Sequence, residues 1–280
     1  FGDETPADTS TAWKVSVDAS LAATQSSYSD NWVGGELGSF NWTFISNSSA
    51  EKQLSPKVHT ATTLKLSFGQ TYSQVRNESG AARWLRPEKS TDLIDLESVL
   101  SFPLHRFVDP YAALRVETQF FDGSYRPIKR YFSPAKITES FGGQHIFSDT
   151  ERLKLKSRVG FALRQIVTSV ITDTVTEATS RESTNDGGIE SVTDLKAALN
   201  SKLSYTSKLS LYKAFFFSKE DSSPNDYWKA ADVNWEHIVT AQIAKYLQTV
   251  LYFQLLYDKE IDKGVRVKQT LGLGLTLKVL

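Results

Sequence analysis

The stretch "VKQTLGLGLTLKVL", residues 267–280, closes the chain and decides its fold class. Every second residue from Leu271 to Val279 is aliphatic. The residues that alternate with them are small or polar: Thr270, Gly272, Gly274, Thr276 and Lys278. Successive side chains of a strand point to opposite faces, so this pattern predicts a strand with one apolar face and one small, polar face.

The same alternation recurs along the chain and predicts about twelve strands. It is clearest in "AWKVSVDASLAAT" (12–24), "LIDLESVLSF" (93–102) and "RLKLKSRVGFALRQ" (152–165). Later segments near 208–218, 229–245, 247–258 and 265–280 repeat it, and a weaker one spans 135–147. An even number of strands of this length is suited to an antiparallel barrel that crosses a bilayer obliquely.

The connections between these strands alternate between long and short. The long ones are predicted at 25–36, 71–91, 122–134, 169–188, 218–228 and 258–264. Those between them are mostly shorter, at 46–56, 105–109, 148–151, 205–207 and near Lys245. Outer-membrane barrels have long extracellular loops and short periplasmic turns, so the alternation favours an up-and-down transmembrane barrel with both termini at the short-turn end.

Composition bounds the class of protein. The 32 basic and 32 acidic residues give zero net charge, so no nucleic-acid partner is expected. Cysteine is absent, which excludes disulfides and thiolate chemistry. No run of about 18 apolar residues occurs, so no transmembrane helix is predicted. Because the chain begins at Phe1 with a polar segment, we expect a mature protein after signal-peptide removal, with a tail at 1–11 and one barrel domain at 12–280.

The apolar faces favour lipid over a buried core. Alternation alone does not separate a soluble barrel from a membrane barrel. The apolar faces of about twelve long strands, however, would overfill the interior of a soluble barrel. A soluble β-barrel that binds a hydrophobic ligand remains the alternative. Aromatic residues near strand ends are expected in the two interfacial girdles: Trp13, Phe102, Tyr111, Phe120 and Tyr257. Glu139, Lys213 and His237 fall on the apolar side, unless a bulge at Gly142–Gly143 shifts the register.

The opposite face carries charges, which we predict to line the lumen. They are Lys14, Asp18, Asp95, Glu97, Arg115, Glu117, Lys154, Lys156, Arg158, Arg164, Asp194 and Lys196. Two interpretations compete. Opposite charges on neighbouring strands pair and fill the lumen, or the basic strand 153–166 lines a narrow path that prefers anions. We favour the filled lumen.

The stretch "SSYSDNWVGGELGSFNWTF" (26–44) after a first strand resembles an outer-membrane family that is known only as a domain of unknown function. The residues that carry the resemblance form a loop motif: Asn31, Trp32, Gly34, Gly35 and Glu36. "RFVDPYAALRVETQF" (106–120) and "FSPAKITESFG" (132–142) are similar to later landmarks of that family. The resemblance implies a bacterial outer-membrane β-barrel and implies no reaction. The two glycines also suit an ordinary loop turn.

The sequence contains no recognisable set of catalytic residues. His59, His105, His145 and His237 show no metal-ligand spacing, and no phosphate-binding glycine loop occurs. No catalytic residue, cofactor or metal is therefore predicted. The expected function is a non-enzymatic outer-membrane protein, either a narrow pore or an accessory barrel. Its expected partners are outer-membrane lipid and other envelope proteins. The alternative is a rim hydrolase of lipase or protease type, which needs a His beside a Ser or Asp.

Overall fold

The computed structural model describes residues 12–29, 37–104, 107–125, 127–222 and 225–278. Within them, twelve long strands are β1 Lys14–Ser26, β2 Ser39–Ser55, β3 Val58–Arg76, β4 Glu88–Ser101, β5 Asp109–Thr118, β6 Ala135–Asp149, β7 Leu153–Asp173, β8 Ala178–Ala198, β9 Leu203–Phe217, β10 Ala231–Gln242, β11 Leu247–Tyr257 and β12 Arg266–Lys278. Short strands at Ala82–Trp84, Phe121–Asp122 and Arg130–Tyr131 lie in the connections. The expected tail at 1–11 lies outside the described residues.

The twelve strands form one closed antiparallel ring. Each strand pairs with its neighbours in sequence, and β1 also pairs with β12, with Leu21 opposite Leu275. Closure leaves the sheet without a free edge, which satisfies the backbone groups of every spanning strand. The predicted up-and-down barrel of about twelve strands is confirmed.

Apolar side chains cover the outside of the ring. Leu271, Leu275 and Phe161 are 68%, 62% and 58% exposed, and buried polar residues such as Asp95 and Glu97 face the interior. This is the inverse of a soluble protein and is the arrangement of a transmembrane barrel. No described helix has the length and apolarity needed to cross a membrane.

The lengths of the connections separate the two ends of the barrel. At the short-turn end they are 56–57, 102–108, 150–152, 199–202 and 243–246. At the long-loop end they include 27–38, 77–87, 119–134, 218–230 and 258–265. The predicted alternation therefore holds, except that β7 and β8 are joined by the short connection 174–177.

Four predicted connections are wrong in detail. In the predicted connection 71–91, residues 71–76 belong to β3 and residues 88–91 to β4. Most of 169–188 is strand, because β7 and β8 continue to pair with each other beyond the ring and form a projecting hairpin. The segment 46–55 is also strand, since it pairs with both β1 and β3. The turn predicted at 205–207 lies at 199–202, where the Asn200 side chain accepts hydrogen bonds from the backbone N–H groups of Lys202 and Leu203.

The register shows which way the exceptional residues point. Gly142 and Gly143 pair regularly with β7, and the irregularity falls between Leu155 and Lys156 instead. Alternation thus continues through Gly142 and Gly143 and places Glu139 on the outer face, exposed between Leu114 and Leu163.

Lys213 and His237 also lie on the outer face. The Lys213 ammonium donates a 2.8 Å hydrogen bond to the carbonyl oxygen of Lys229. His237 lies among Tyr205, Trp235 and Phe253. Both residues are therefore placed among polar or aromatic partners rather than directly against lipid tails.

One girdle prediction is wrong. Tyr111 is only 3% exposed and faces the lumen, where the Arg158 guanidinium lies 5.7 Å from its ring centroid. The Tyr111 side chain lies on the inward face of β5, as Arg115 does. Trp13 and Phe102 are exposed, at 51% and 37%, as a lipid-facing position requires.

Candidate functional site: the ion-pair plug in the lumen

The centre of the lumen is built on β4 and β5. Alternation turns Asp95 and Glu97 inward from β4, and it turns Arg115 and Glu117 inward from β5, where Asp95 lies opposite Glu117. Arg115 donates to both oxygens of Asp95, at 2.8 and 3.0 Å, and its Nη2 lies 3.0 Å from Glu117. This two-pronged geometry gives the guanidinium–carboxylate pair a fixed orientation.

Glu97 joins the centre to the opposite wall. Its Oε1 accepts from Arg158 of β7, and its Oε2 accepts from Lys208 of β9 at 2.8 Å. Neither β7 nor β9 neighbours β4 in the ring, so both bonds cross the interior. Arg158 and Glu97 are 6% and 7% exposed, so both side chains are buried inside the ring.

Two further bonds cross the lumen between strands that are not neighbours. Lys65 of β3 donates to Glu236 of β10 at 3.0 Å. Lys268 of β12 donates to the Thr91 hydroxyl of β4 at 3.1 Å. Together with the Glu97 contacts, these bonds tie widely separated parts of the ring together. We call the ion-paired residues at the centre of the lumen, Lys65, Asp95, Glu97, Arg115, Arg158, Lys208 and Glu236, the plug.

A second cluster lies nearer the long-loop end. Arg164 of β7 donates to Asp186 of β8 at 2.8 Å and to Asp232 of β10 at 2.6 Å. Its guanidinium carbon lies 3.6 Å from the ring centroid of Tyr212, and the Tyr212 hydroxyl donates to Asp186. Arg164 thus combines two ion pairs with a stacked cation–π contact.

The connection 218–230 contacts this second cluster from the long-loop end. Trp228 is 6% exposed and packs with Ala162, Tyr212 and Ala214, while the Phe217 ring lies 6.1 Å away. Next to it, the hydrogen bond to Asp226, followed by the charges of Asp226 and Glu220, raises the pKa of Lys229. The loop therefore reaches inward and carries an aromatic side chain to the residues that line the barrel.

The remaining predicted lumen residues lie toward the short-turn end and are more open. Lys154 is 3.3 Å from Asp149, and Lys156 is 3.9 Å from Asp194, with lysine side chains 60% and 46% exposed. Lys14, at the start of β1, and Lys196 are also exposed, and Asp18 is half-buried opposite Asn47. Solvent screens such exposed pairs, so each contributes little.

The plug consists of ion pairs with little exposed side-chain surface. Removing one partner of a buried ion pair typically costs about 3–5 kcal/mol, because the other charge is left without compensation. The space beside Arg158 is a cavity of about 10 Å³, about the size of one water molecule, lined by Gln144, Ser157 and Val192 among others.

The predicted residues thus fall into two groups. Asp95, Glu97, Arg115, Glu117, Arg158 and Arg164 are brought together inside the ring, whereas Lys154, Lys156, Asp194, Lys196, Lys14 and Asp18 are not part of the plug. The loop motif Asn31, Trp32, Gly34, Gly35 and Glu36 lies outside the described residues. Sequence reasoning missed Lys208, Asp186, Asp232 and Glu236 as lumen residues, although strict alternation along β9 and β10 turns Lys208 and Glu236 inward.

Two of the histidines have ordinary partners. His145 Nδ1 contacts the carbonyl oxygen of Phe107, and His237 Nδ1 lies 2.7 Å from the Tyr205 hydroxyl. His105 lies outside the described residues. In the part of the chain that the structure describes, no group of three or more His, Asp or Glu residues is arranged to hold a metal ion.

Comparisons with known proteins show where this chain has relatives. Residues 23–124 match the family model described as "Protein of unknown function (DUF3078)", a match that includes the loop motif. It confirms the resemblance to a family known only as a domain of unknown function. No curated protein matches.

Several solved structures are similar in fold at low identity. An outer membrane channel from Pseudomonas putida F1 is 12% identical, with a TM-score of 0.45 and coverage of 94% of this chain and 92% of that chain. The NanC porin is 8% identical, with a TM-score of 0.40 and coverage of 94% and 100%. The translocator domain of the autotransporter NalP from Neisseria meningitidis is 7% identical, with a TM-score of 0.38 and coverage of 94% and 86%.

Proposed function

We propose that this protein is a non-enzymatic barrel of the bacterial outer membrane whose lumen is closed at rest, and that it serves as an accessory or structural barrel. The observation that carries the proposal is Glu97, which is held at once by Arg158 and Lys208 from other walls of the ring. A lumen bridged in this way favours the filled interior over a permanently open pore.

The outer surface supports the membrane placement. Exposed leucines and phenylalanines such as Leu271, Leu275 and Phe161 would be unfavourable in water over so large a continuous area. The interior argues against the soluble ligand-binding barrel, because it contains ion pairs where such a barrel would have an apolar cavity. Outer-membrane lipid is accordingly the proposed partner.

A second candidate is a narrow anion path that opens when the plug rearranges. It is favoured by the basic short-turn mouth, where Lys154, Lys156 and Lys196 are exposed. In that case Lys156→Glu should shift the reversal potential toward cations, since it places a negative charge at the mouth. The hydrolase alternative gains no support from His145 or His237, whose Nδ1 atoms contact Phe107 and Tyr205 rather than a serine or a carboxylate.

The test is conductance in a planar bilayer with the refolded protein, after flotation with liposomes has shown that it inserts. We expect an inserted wild-type protein that is almost silent. Stable, long-lived current steps in the wild type would contradict the closed lumen and favour the anion path. Density fractionation of bacterial membranes tests the placement separately, with the protein expected in the outer-membrane fraction.

A further inference from the structure

The connection between β4 and β5 differs from its neighbours at the short-turn end. It reads Phe-Pro-Leu-His-Arg-Phe-Val in sequence, and its described residues include Phe102, Leu104, Phe107 and Val108. The two connections beside it, 56–57 and 150–152, read Pro-Lys and Thr-Glu-Arg. A connection that projects into water would be expected to be polar, so the apolar composition of this one requires a physical reason.

The connection is folded back against the outer wall of the barrel. The Phe107 ring stacks on the His145 ring with centroids 4.2 Å apart, and His145 Nδ1 contacts the Phe107 carbonyl oxygen. Phe147 meets the same imidazole edge-on at 4.5 Å. His145 shares the outward face of β6 with Phe141, so these contacts place Phe107 on the outside of the ring rather than beneath its mouth.

A glycine makes the close approach possible. A Cβ atom on Gly143 would lie 2.6 Å from Cγ1 of Val108, nearer than real Cβ contacts occur. Gly143 also faces outward on β6, between Phe141 and His145. Val108 therefore occupies the space that a side chain would fill in an ordinary strand. The base of the connection is fixed as well, because Leu104 N–H donates to Asp109 at 2.7 Å.

After these contacts are made, much apolar surface remains uncovered. Phe107 is 73% exposed, Phe147 is 58%, Leu104 is 51% and Val108 is 46% exposed. On β6 and β7 this surface is followed by further outward-facing apolar side chains, such as Phe141 and Phe161. We call the ring of outward-facing apolar side chains around the barrel the apolar belt. Large aromatic and aliphatic side chains at the edge of a transmembrane barrel are stabilised in the interfacial region of a bilayer.

We propose that Phe102, Leu104, Phe107, Val108 and Phe147 form an interfacial anchor that inserts among the phospholipids of the leaflet at the short-turn end. The partner is the lipid surface itself, recognised by apolar insertion rather than by a headgroup-specific site. The proposal rests on the membrane placement of the proposed function. It adds that one side of the short-turn end is embedded, while the neighbouring turns are in water.

Single-cysteine labelling tests the anchor directly, because the chain has no cysteine of its own. An environment-sensitive fluorophore is attached at Leu104→Cys or Phe107→Cys, and the protein is reconstituted in phosphatidylcholine–phosphatidylglycerol vesicles. Quenching is measured with a lipid that carries a nitroxide near the glycerol end of its acyl chain, and separately with aqueous iodide. Matched controls are Glu151→Cys in the next short turn and Leu273→Cys in the apolar belt.

We expect lipid quenching of the labels at 104 and 107, and iodide quenching several-fold weaker than at 151. The label at 273 reports whether the barrel is in the bilayer at all. If 273 is quenched by lipid while 104 and 107 behave like 151, the anchor is wrong and the membrane placement stands. If 273 is not quenched by lipid, the placement itself fails and the anchor fails with it.

A second set of variants tests the role of the wall. Gly143→Val should displace Val108 and return the label at 104 to water, with a several-fold rise in iodide quenching. Val108→Asn is the second variant, for the case in which Gly143→Val does not fold. It leaves β6 unchanged and should also raise iodide quenching of the label at 104. Unchanged quenching in the folded variants would overturn the role given to the contact between Val108 and Gly143, whereas the quenching at 104 and 107 decides the insertion itself.

Discussion

Lys208 of β9 donates a 2.8 Å hydrogen bond to Glu97 of β4 across the full interior of the barrel, and Arg158 of β7 holds the other oxygen of the same carboxylate. One carboxylate thus joins β4, β7 and β9, and no two of these strands are neighbours in the ring wall. Both cations are nearly buried, so removing either one leaves the buried Glu97 carboxylate with less compensation for its charge.

Lys208→Met should loosen the plug. Glu97 keeps Arg158, so we expect a loss of about 1.5–3 kcal/mol in the free energy of unfolding, the range for a hydrogen bond to a charged group. Brief current steps should appear in planar bilayers, because one crossing bond is gone. Urea unfolding in detergent micelles and single-channel recording measure the two effects.

The matched control is Lys156→Met. The Lys156 side chain is 46% exposed, and its ammonium lies 3.9 Å from Asp194. Its effect on stability should stay below about 1 kcal/mol, as for surface pairs. Equal effects of the two substitutions would contradict the special position of Lys208.

The sequence predicted the barrel well and the plug only in part. Alternation in "LIDLESVLSF" and "YAALRVETQF" is enough to turn Asp95, Glu97, Arg115 and Glu117 inward, since the period of a strand is two. Pairing across the lumen depends on the diameter and tilt of the ring, and no local pattern encodes these. Lys208 was missed for a further reason: the turn was expected at 205–207, which left this residue at the very start of its strand.

The projecting hairpin shows the same limit. Residues 169–188 are rich in Ser, Thr and charged side chains on both faces, so their composition is typical of a loop. Their strand structure comes from pairing between β7 and β8, with Ser169 opposite Arg181 and Val170 opposite Ser180. That pairing also places Asp186, expected in a loop, inside the barrel beside Arg164.

Arg164→Gln should be more damaging than Tyr212→Phe, although both touch Asp186. The first leaves Asp186 and Asp232 without their cation, so we expect a loss of about 3–5 kcal/mol in the free energy of unfolding. The second removes one hydroxyl donor and keeps the stacked ring, so about 1–3 kcal/mol is expected. Urea unfolding of the two variants in one detergent compares them, and the reverse order would refute the assignment of Arg164 as the organising residue.

Trp228→Ser should release the connection 218–230 from the lumen. The side chain is 6% exposed among Ala162, Tyr212 and Ala214, and serine would remove nearly all of that contact. We expect trypsin to cleave the folded protein faster after Lys219 and Lys229, because local release exposes the backbone to the protease. Val175→Ser, at an 89% exposed position in the tip of the hairpin, is the control and should leave these cleavage rates unchanged.

Gly160→Ala should weaken the wall where β5, β6 and β7 meet. A Cβ atom at this position would collide with the Phe141 carbonyl oxygen and would lie 2.7 Å from the Tyr111 hydroxyl. The Phe141 carbonyl belongs to the neighbouring strand and cannot move without disturbing the pairing of Phe141 with Phe161. Overpacking of this kind typically costs about 1–3 kcal/mol.

Gly272→Ala is the matched change in β12. The nearest atom to its added Cβ would be the Ala22 Cβ at 3.7 Å, an ordinary contact. Because alanine also loses less conformational entropy than glycine on folding, this variant should be neutral or slightly stabilising. Refolding yield into detergent and the urea midpoint measure both variants. A tolerated Gly160→Ala beside a damaging Gly272→Ala would show that the inward faces of β7 and β12 are packed differently from the contacts described.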